Sequence, residues 1–562
     1  MQRILFILIY ITLSVVIYAQ QLSKQDEQFV DSIMNTNYKL GEPGAVVLIA
    51  KNEQPIFRKA YGLASVELNV PNKPEYIFHI GSMSKQFTAV CVLKLAQEGK
   101  RNLQDDIKKY LHDCNTHGRH ITIENLLSHT SGFIDAQEKK EFLEGRRIDQ
   151  SHDDLLNSFI NDSLLFEPGT DWHYSNSNYM LAALIVEKVS GLSLSEYLQQ
   201  NILNPLAMSH TFIDNGDSIV ANIVNGYDRE AGKFRPTRYE SPTWFYGNGQ
   251  MISNVDDLLK WDNALYTDKI IKKEWLEKAW KPFLLKNNQP TNYGFGWTNT
   301  NFNGLQIIEH AGGVNGFVSD GIRIPSKKLY IVMLSNTTSI WLAFITSNIA
   351  LHITGQTLPK PTFSQMDKKT LVDYTGVYAL QRSGGNTHAD SSNGEMYEYI
   401  TVKTDTLFIQ PPKYGKVALF EISKDFFVAA YGTKYYQFHR NEKGDLISVE
   451  IYDEPIQHGP NELRLKTDIP LPKEKYSIIL DAKKLELLKG TYDFGGGAVV
   501  PVILEGNKIY MQMEEKFEML PEDDTHFFFK DIDGTVEFIK KEGKVTGVVI
   551  NRGGKYEAKK IN

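Results

Sequence analysis

The stretch Phe78–Lys100, FHIGSMSKQFTAVCVLKLAQEGK, reads as a small-residue turn and then a helix with Phe87, Val90, Cys91 and Leu95 on one apolar stripe. A serine at a helix start normally caps free backbone N–H groups, and a Glu or Gln three positions later completes the box. Here that position is Lys85. A cation in the first turn faces the positive end of the helix dipole, so local propensity disfavours it. The placement of Ser82 and Lys85 one turn apart on one face therefore asks for a chemical reason.

Nucleophilic catalysis supplies one. Serine is scarcely ionised at neutral pH and needs a base within hydrogen-bond reach. Lys85 can be that base when burial or a neighbouring cation lowers its affinity for protons. The competing reading is a capping serine beside a solvated lysine, and an S-x-x-K match alone does not separate the two. Two later segments favour chemistry. In residues 166–191, FEPGTDWHYSNSNYMLAALIVEKVSG, the triplet Tyr174, Ser175 and Asn176 precedes another apolar helix. Tyr174 can share the Ser82 proton, and Asn176 offers a donor and an acceptor to a substrate amide. In residues 309–317, EHAGGVNGF, His310 is followed by Gly312 and Gly313, which let backbone approach a substrate and turn an N–H toward an oxyanion.

Around these motifs, residues 22–38 read as an amphipathic helix and residues 44–67 as a β-hairpin. Residues 304–338 alternate strands and turns, and a helix is predicted from Trp341 to Ile353. Strands at both ends enclosing helices predict one α/β domain whose sheet is completed by both ends of that region. Composition shifts at residues 354–365, where Pro359 and Pro361 mark a linker. An internal repeat follows. MDKKTLVDYTGVY from Met366 aligns without a gap with LDAKKLELLKGTY from Leu480, pairing Leu371 with Leu485, Gly376 with Gly490 and Tyr378 with Tyr492. Each copy continues as short aromatic-rich strands joined by polar turns, which predicts two small antiparallel barrels or sandwiches. The expected boundaries are a signal peptide over 1–20, a catalytic domain over 21–358, and repeats over 366–470 and 478–562.

The whole chain is consistent with this division. Its 562 residues, 42% hydrophobic, are too many for one ordinary domain. A net charge of −7 lacks the basic excess that nucleic-acid binding needs, so nucleic acid is not expected as a partner. Arg3, an apolar run and then Ala19 before a polar start read as a cleaved secretory signal. That run is shorter than the ~20 residues that span a bilayer, so an uncleaved anchor is the weaker reading. Two cysteines make no disulfide framework; Cys91 reads as a small core residue, with a Cys91 to Cys114 bridge as the minor alternative. His112, Cys114, His117 and His120 superficially suggest a metal site, but the segment reads as a surface loop, and no metal or other cofactor is expected. His129 reads as a hydrogen-bonded structural residue.

The order S-x-x-K, then Y-x-N, then a (K/H)-x-G strand resembles the penicillin-recognising serine hydrolases, specifically the class C β-lactamase, D-alanyl-D-alanine carboxypeptidase and esterase group. ITIENLLSHTSGF, YSNSNYMLAALIVEKVSGLSLSEYL, NILNPLAMSHTFI and YGFGW are similar to that group as well. The resemblance covers roughly residues 25–355 and implies an α/β (α+β) β-lactamase/transpeptidase-like domain, an antiparallel sheet plus a helical subdomain. It implies Ser82 as the acylated nucleophile, Lys85 and Tyr174 sharing base duty, and Asn176, His310 and Gly312 binding substrate. The backbone N–H groups of Ser82 and Gly313 would form the oxyanion hole. His310 departs from the lysine of typical β-lactamases. Histidine, with an ordinary pKa near 6.5, is mostly neutral above about pH 7, so the departure favours a peptidase, D-amino-acid amidase or esterase over an efficient β-lactamase.

The function expected is thus an exported, periplasmic or secreted, serine hydrolase working through an acyl-enzyme on a small peptide, β-lactam or ester. A D-amino-acid-containing peptide is the first choice of substrate. The reading from another class is a catalytically inactive penicillin-binding sensor or polymer-binding protein, against which the intact set Ser82, Lys85, Tyr174 and Asn176 argues.

Overall fold

Residues 45–50 are six consecutive buried apolar residues, and the two-residue period of a strand sends them to two different cores. Ala45, Val47 and Ile49 pack with Val30 and Met34 of the Lys24–Asn37 helix and with Ile345 and Ile349 of the Leu342–Ile353 helix. Val46, Leu48 and Ala50 face the opposite way, into the cluster that holds Phe87, Val90 and Leu95. The strand therefore sits inside a sheet covered by helices on both sides.

That sheet has six strands in the order Thr298–Phe302, Leu305–Val314, Phe317–Ile324, Leu329–Ser335, Ala45–Lys51 and Gln54–Tyr61. Every pairing is antiparallel, with Val47 opposite both Met333 and Lys59. The early hairpin and the late strands thus complete one sheet, as the alternation of elements predicts. Residues between the two strand groups build the helical part, including the Ser84–Gln97 and Asn176–Ser190 helices.

The Ser84–Gln97 helix differs from its sequence reading. It carries no single apolar stripe: every residue from Ser84 to Leu93 is buried, because the helix lies between the sheet and the Asn176–Ser190 helix. Its polar residues are matched inside. Gln86 Oε1 accepts from Trp261 Nε1 at 2.9 Å, and the Thr88 hydroxyl donates to the Gly247 carbonyl at 2.6 Å. Nor does Ser82 cap the helix. It lies in a 3₁₀ turn, Gly81–Met83, that runs into the helix at Ser84.

The repeat forms two closed eight-stranded antiparallel barrels. The first runs from Gly376–Leu380 to Glu462–Lys466 and closes by pairing Tyr378 with Lys466. The second runs from Gly490–Asp493 to Lys555–Lys560 and closes by pairing Tyr492 with Lys560. Corresponding side chains make corresponding bonds. Tyr378 Oη donates to the Tyr374 carbonyl at 2.9 Å, and Tyr492 Oη to the Leu488 carbonyl at 2.6 Å. Lys466 Nζ donates to the Asp373 carbonyl at 2.9 Å, and Lys560 Nζ to the Leu487 carbonyl at 3.0 Å. Leu371 and Leu485, one in each copy, are buried in the barrel cores beside packed aromatic rings. Among the described residues, closure pairs the first strand of each copy with its last, so neither is left as a free sheet edge.

These observations come from a computed structural model that describes residues 21–561 except 140, 141, 143, 144, 231–232, 303, 341, 357–367, 381–396, 404, 411–416, 430–433, 453–461, 472–476, 479, 496–497, 514–515, 531–533 and 552–554. The expected signal segment over 1–20, Trp341 and most of the 354–365 linker lie outside the described residues. Among the described residues no helix is long and apolar enough to cross a membrane. Cys91 and Cys114 are both buried and unpaired, so the bridge is not formed. His120 Nδ1 meets Asp106 at 2.8 Å, and among the described residues no three His, Cys, Asp or Glu side chains converge in a way that would hold a metal.

Candidate active site

The 3₁₀ turn that carries Ser82 is shaped by its neighbours. Gly81 adopts φ +49°, a left-handed conformation that favours glycine, and a Cβ there would lie 2.6 Å from the Gly313 nitrogen. The Ser84 hydroxyl donates to the Gly81 carbonyl at 2.6 Å and accepts the Met251 N–H at 3.1 Å. Turn and strand therefore touch backbone to backbone, which brings the Gly313 nitrogen beside the Ser82 turn. Ser82 is half-buried and Gly313 exposed, so this edge opens to solvent.

Lys85, one turn on, is fully buried. Its Nζ lies 3.0 Å from Ser82 Oγ, 2.7 Å from Asn176 Oδ1 and 3.0 Å from the Asn248 carbonyl. It also lies 4.7 Å from the centre of the Tyr174 ring. Burial lowers the lysine pKa to about 7, against the opposing charge of Asp135. Burial acts the other way on Tyr174, raising its pKa although a hydrogen bond with Ser82 pulls it down. At neutral pH the lysine is the group of the two that can stand deprotonated.

Tyr174 is held from both sides by one residue. His129 is fully buried at φ +59°; its carbonyl accepts the His173 N–H at 3.0 Å and its Nδ1 accepts the Ser175 N–H at 3.2 Å. Its ring stands 4.4 Å from that of Tyr174. Burial and then the Lys85 charge push the imidazole pKa well below its ordinary value, so Nδ1 stays an acceptor. The structural reading of His129 gains a specific content: it fixes the backbone on either side of Tyr174.

His310 is buried as well. Its Nδ1 lies 2.5 Å from the Ala311 carbonyl, which can only accept, so Nδ1 carries the proton and Nε2 accepts from the Tyr293 hydroxyl at 2.8 Å. Burial, followed by the Lys85 charge, pushes its pKa down to about 3. The strand position that is lysine in the resembled enzymes therefore holds a neutral ring with both nitrogens engaged. Gly312 beside it is buried against the Ile80 carbonyl.

The structure brings Ser82, Lys85, Tyr174 and Asn176 together, with His310, Gly312 and Gly313 on the adjoining strand. It also adds partners that the sequence reading left out. Asn176 Nδ2 donates to Asp135 Oδ2 at 2.8 Å and to Gln137 Oε1 at 3.0 Å. Both N–H donors of Asn176 are thereby engaged within the protein, which leaves a substrate only the second lone pair of Oδ1. Asp135 is buried, and burial raises its pKa, opposed by the N–H groups of Gln137 and Asn176. A sequence signal for Asp135 exists only in outline: it is an acid that directly follows the apolar pair Phe133 and Ile134. None exists for Asn248, which acts through its backbone carbonyl.

Residues 26–342, more than half of the chain, match the family model for Beta-lactamase. Penicillin-binding protein 4* of Bacillus subtilis (strain 168) is 29% identical over 377 residues, covering 62% of this chain and 82% of that protein. Protein flp of Staphylococcus aureus (strain MRSA252) is 27% identical over 340 residues, covering 59% of this chain and 67% of that protein. Among solved structures, the octameric penicillin-binding protein homologue from Pyrococcus abyssi has a TM-score of 0.55 at 23% identity, over 79% of this chain and 99% of that one. The D-amino acid amidase from Ochrobactrum anthropi SV3 complexed with L-phenylalanine has a TM-score of 0.53 at 18% identity, over 59% of this chain and 99% of that one. These structural likenesses speak to the fold.

Proposed function

The chain belongs to the Beta-lactamase family, and from that premise we propose that it is an exported serine hydrolase that cleaves amide bonds of D-amino-acid-containing peptides through an acyl-enzyme on Ser82. The observation that carries the reading is the fully buried Lys85, whose Nζ lies 3.0 Å from Ser82 Oγ. The neutral amine accepts the Ser82 proton as Oγ attacks the substrate carbonyl carbon. The developing oxyanion meets the backbone N–H groups of Ser82 and Gly313. Tyr174, kept protonated by burial, gives its proton to the leaving nitrogen and recovers one from the Lys85 ammonium. Water then attacks the acyl carbon and gives its proton to the same pair, which returns a proton to Ser82 Oγ as the acyl–oxygen bond breaks. The names of the penicillin-binding and D-amino acid amidase relatives support this substrate class.

A second reading has one observation in its favour. Neutral His310 offers no fixed cation to a substrate carboxylate, which suits a D-amino-acid amide or a small ester better than a peptide with a free C-terminus. Comparing turnover of a D-alanyl-D-alanine peptide with that of its C-terminal amide decides between the two readings.

Intact-protein mass spectrometry after brief exposure to a penicillin tests the acyl-enzyme, with Ser82→Ala as control. The expected result is a lasting adduct that disappears in the alanine variant. An unmodified protein with the penicillin untouched, and no Ser82-dependent cleavage of the D-peptide or its amide, overturns the reading.

The pH profile follows from the charges. Lys85 must be neutral to accept a proton, and its pKa is lowered to about 7, so kcat/KM rises tenfold per pH unit below that value and levels above it. His310, neutral down to about pH 3, adds no second limb. The rate of Ser82 labelling by a fluorophosphonate between about pH 5 and pH 9 measures this; a profile flat across pH 7 sinks the base role of Lys85.

A further inference from the structure

The Asn176 carboxamide has two ends of similar shape and opposite hydrogen bonding, so its neighbours decide which way it points. Asp135 Oδ2, 2.8 Å from Nδ2, is a carboxylate that cannot donate when ionised. Gln137 is oriented in turn, because its Nε2 donates to the Trp244 carbonyl at 3.3 Å and leaves Oε1 to face Asn176 Nδ2 at 3.0 Å. Two acceptors on one side fix Nδ2 there and turn Oδ1 to Lys85, 2.7 Å away. The Asn248 carbonyl, 3.0 Å from Nζ, is also acceptor only. A neutral Lys85 amine has two N–H groups and one lone pair. The two fixed acceptors take the N–H groups, and the lone pair is left facing Ser82 Oγ at 3.0 Å.

We propose that Asp135 is a positioning residue of this site: through Asn176 it aims the Lys85 lone pair at Ser82, and it places a buried counter-charge behind the lysine. The kinetic consequence rests on the serine-hydrolase reading; the effect on the lysine does not. The titratable groups that face Lys85 are Asp135, Tyr174, Tyr179, His129 and His310, with Glu138 facing Asp135 in turn. Burial keeps both tyrosines protonated and both histidines neutral. Of the groups facing Lys85, the carboxylate is therefore the one that supplies negative charge to it.

Asp135→Asn removes the charge at nearly constant shape and lets its own amide turn an NH₂ toward Asn176. Asp135→Ser is the second variant, keeping a capping oxygen for the Gln137 N–H that Asp135 Oδ1 now accepts at 2.9 Å. Asp135→Glu retains the charge. The measurement is the titration of the Lys85 ε-carbon by NMR in full-length protein labelled with [ε-¹³C]lysine, the signal assigned by its loss in Lys85→Met. The expected result is titration at lower pH in the Asn and Ser variants and its restoration by Glu. The acid limb of kcat/KM is expected to move with it, with kcat reduced about tenfold and KM within about twofold. All seven tryptophans precede residue 342, so their emission checks the fold of the catalytic domain in each variant. A Lys85 that titrates at the wild-type pH in folded Asn or Ser variants overturns the proposal, whatever happens to kcat. Activity that survives in Ser82→Ala overturns the hydrolase reading instead, and the NMR titration still decides the role of Asp135.

Discussion

Lys85→Met is expected to lower kcat/KM by about 10²- to 10⁴-fold, the range spanned by loss of a positioned general base. Methionine roughly matches the lysine stem in length and sits comfortably in a fully buried position, so the protein should fold. Lys85→Arg should be as inactive as the methionine variant, because a guanidinium stays protonated and has no lone pair to offer Ser82. Charge and shape are thereby separated from proton acceptance. Steady-state kinetics on a D-peptide amide, with thermal unfolding followed by tryptophan emission, measures both. An arginine variant with near-wild-type kcat/KM would show that positive charge, not basicity, is what Ser82 requires.

Gly312→Ala is expected to damage both stability and rate. A Cβ at that position would lie 2.0 Å from the Ile80 carbonyl oxygen and 2.5 Å from Ser319 Oγ, and Ser319 itself donates to that carbonyl at 2.7 Å. The carbonyl is backbone and Ser319 Oγ is short and hydrogen-bonded to it, so neither is a flexible chain end that can yield, and the strand must move away from the Ser82 turn. Overpacking of this kind costs about 1–3 kcal/mol, and a displacement near 1 Å in the reacting geometry costs about 100-fold in rate. Gly313→Ala is the control for stability, since a Cβ there meets nothing within 4 Å. Thermal midpoints of the two variants should differ by several degrees, Gly312→Ala being the lower. Equal midpoints would mean that the strand and the turn do not press on each other as the geometry requires.

The site was only partly legible in the sequence. Ser82 and Lys85 are three residues apart, and the turn geometry of a helix by itself puts them on one face, so the pair shows in the sequence. Tyr174 and Asn176 show because the triplet directly precedes a recognisable apolar helix. Their partners did not show. The Lys85 bonds to Asn176 and Asn248 join residues 91 and 163 positions apart, and no periodicity connects them. Asp135 also caps the short 3₁₀ turn Ala136–Glu138, a local role that says nothing of its contact with Asn176. Asn176 reads as a substrate ligand, whereas both of its N–H groups are taken by Asp135 and Gln137. The helix after Ser82 reads as amphipathic because its polar residues are visible and the partners that bury them are not.

The sequence alone determined the alternation of strands and helices, the duplication that becomes two barrels, and the S-x-x-K turn with its tyrosine and histidine motifs. These are local or periodic properties, carried by neighbours along the chain. The tertiary structure decided what those residues are electrically. Burial turns Lys85 from an ordinary cation into a base that titrates near neutrality, and it turns His310 into a neutral, fully bonded ring. Charge state depends on which dipoles and carboxylates surround a group after packing, and packing brings together residues that the chain itself keeps far apart.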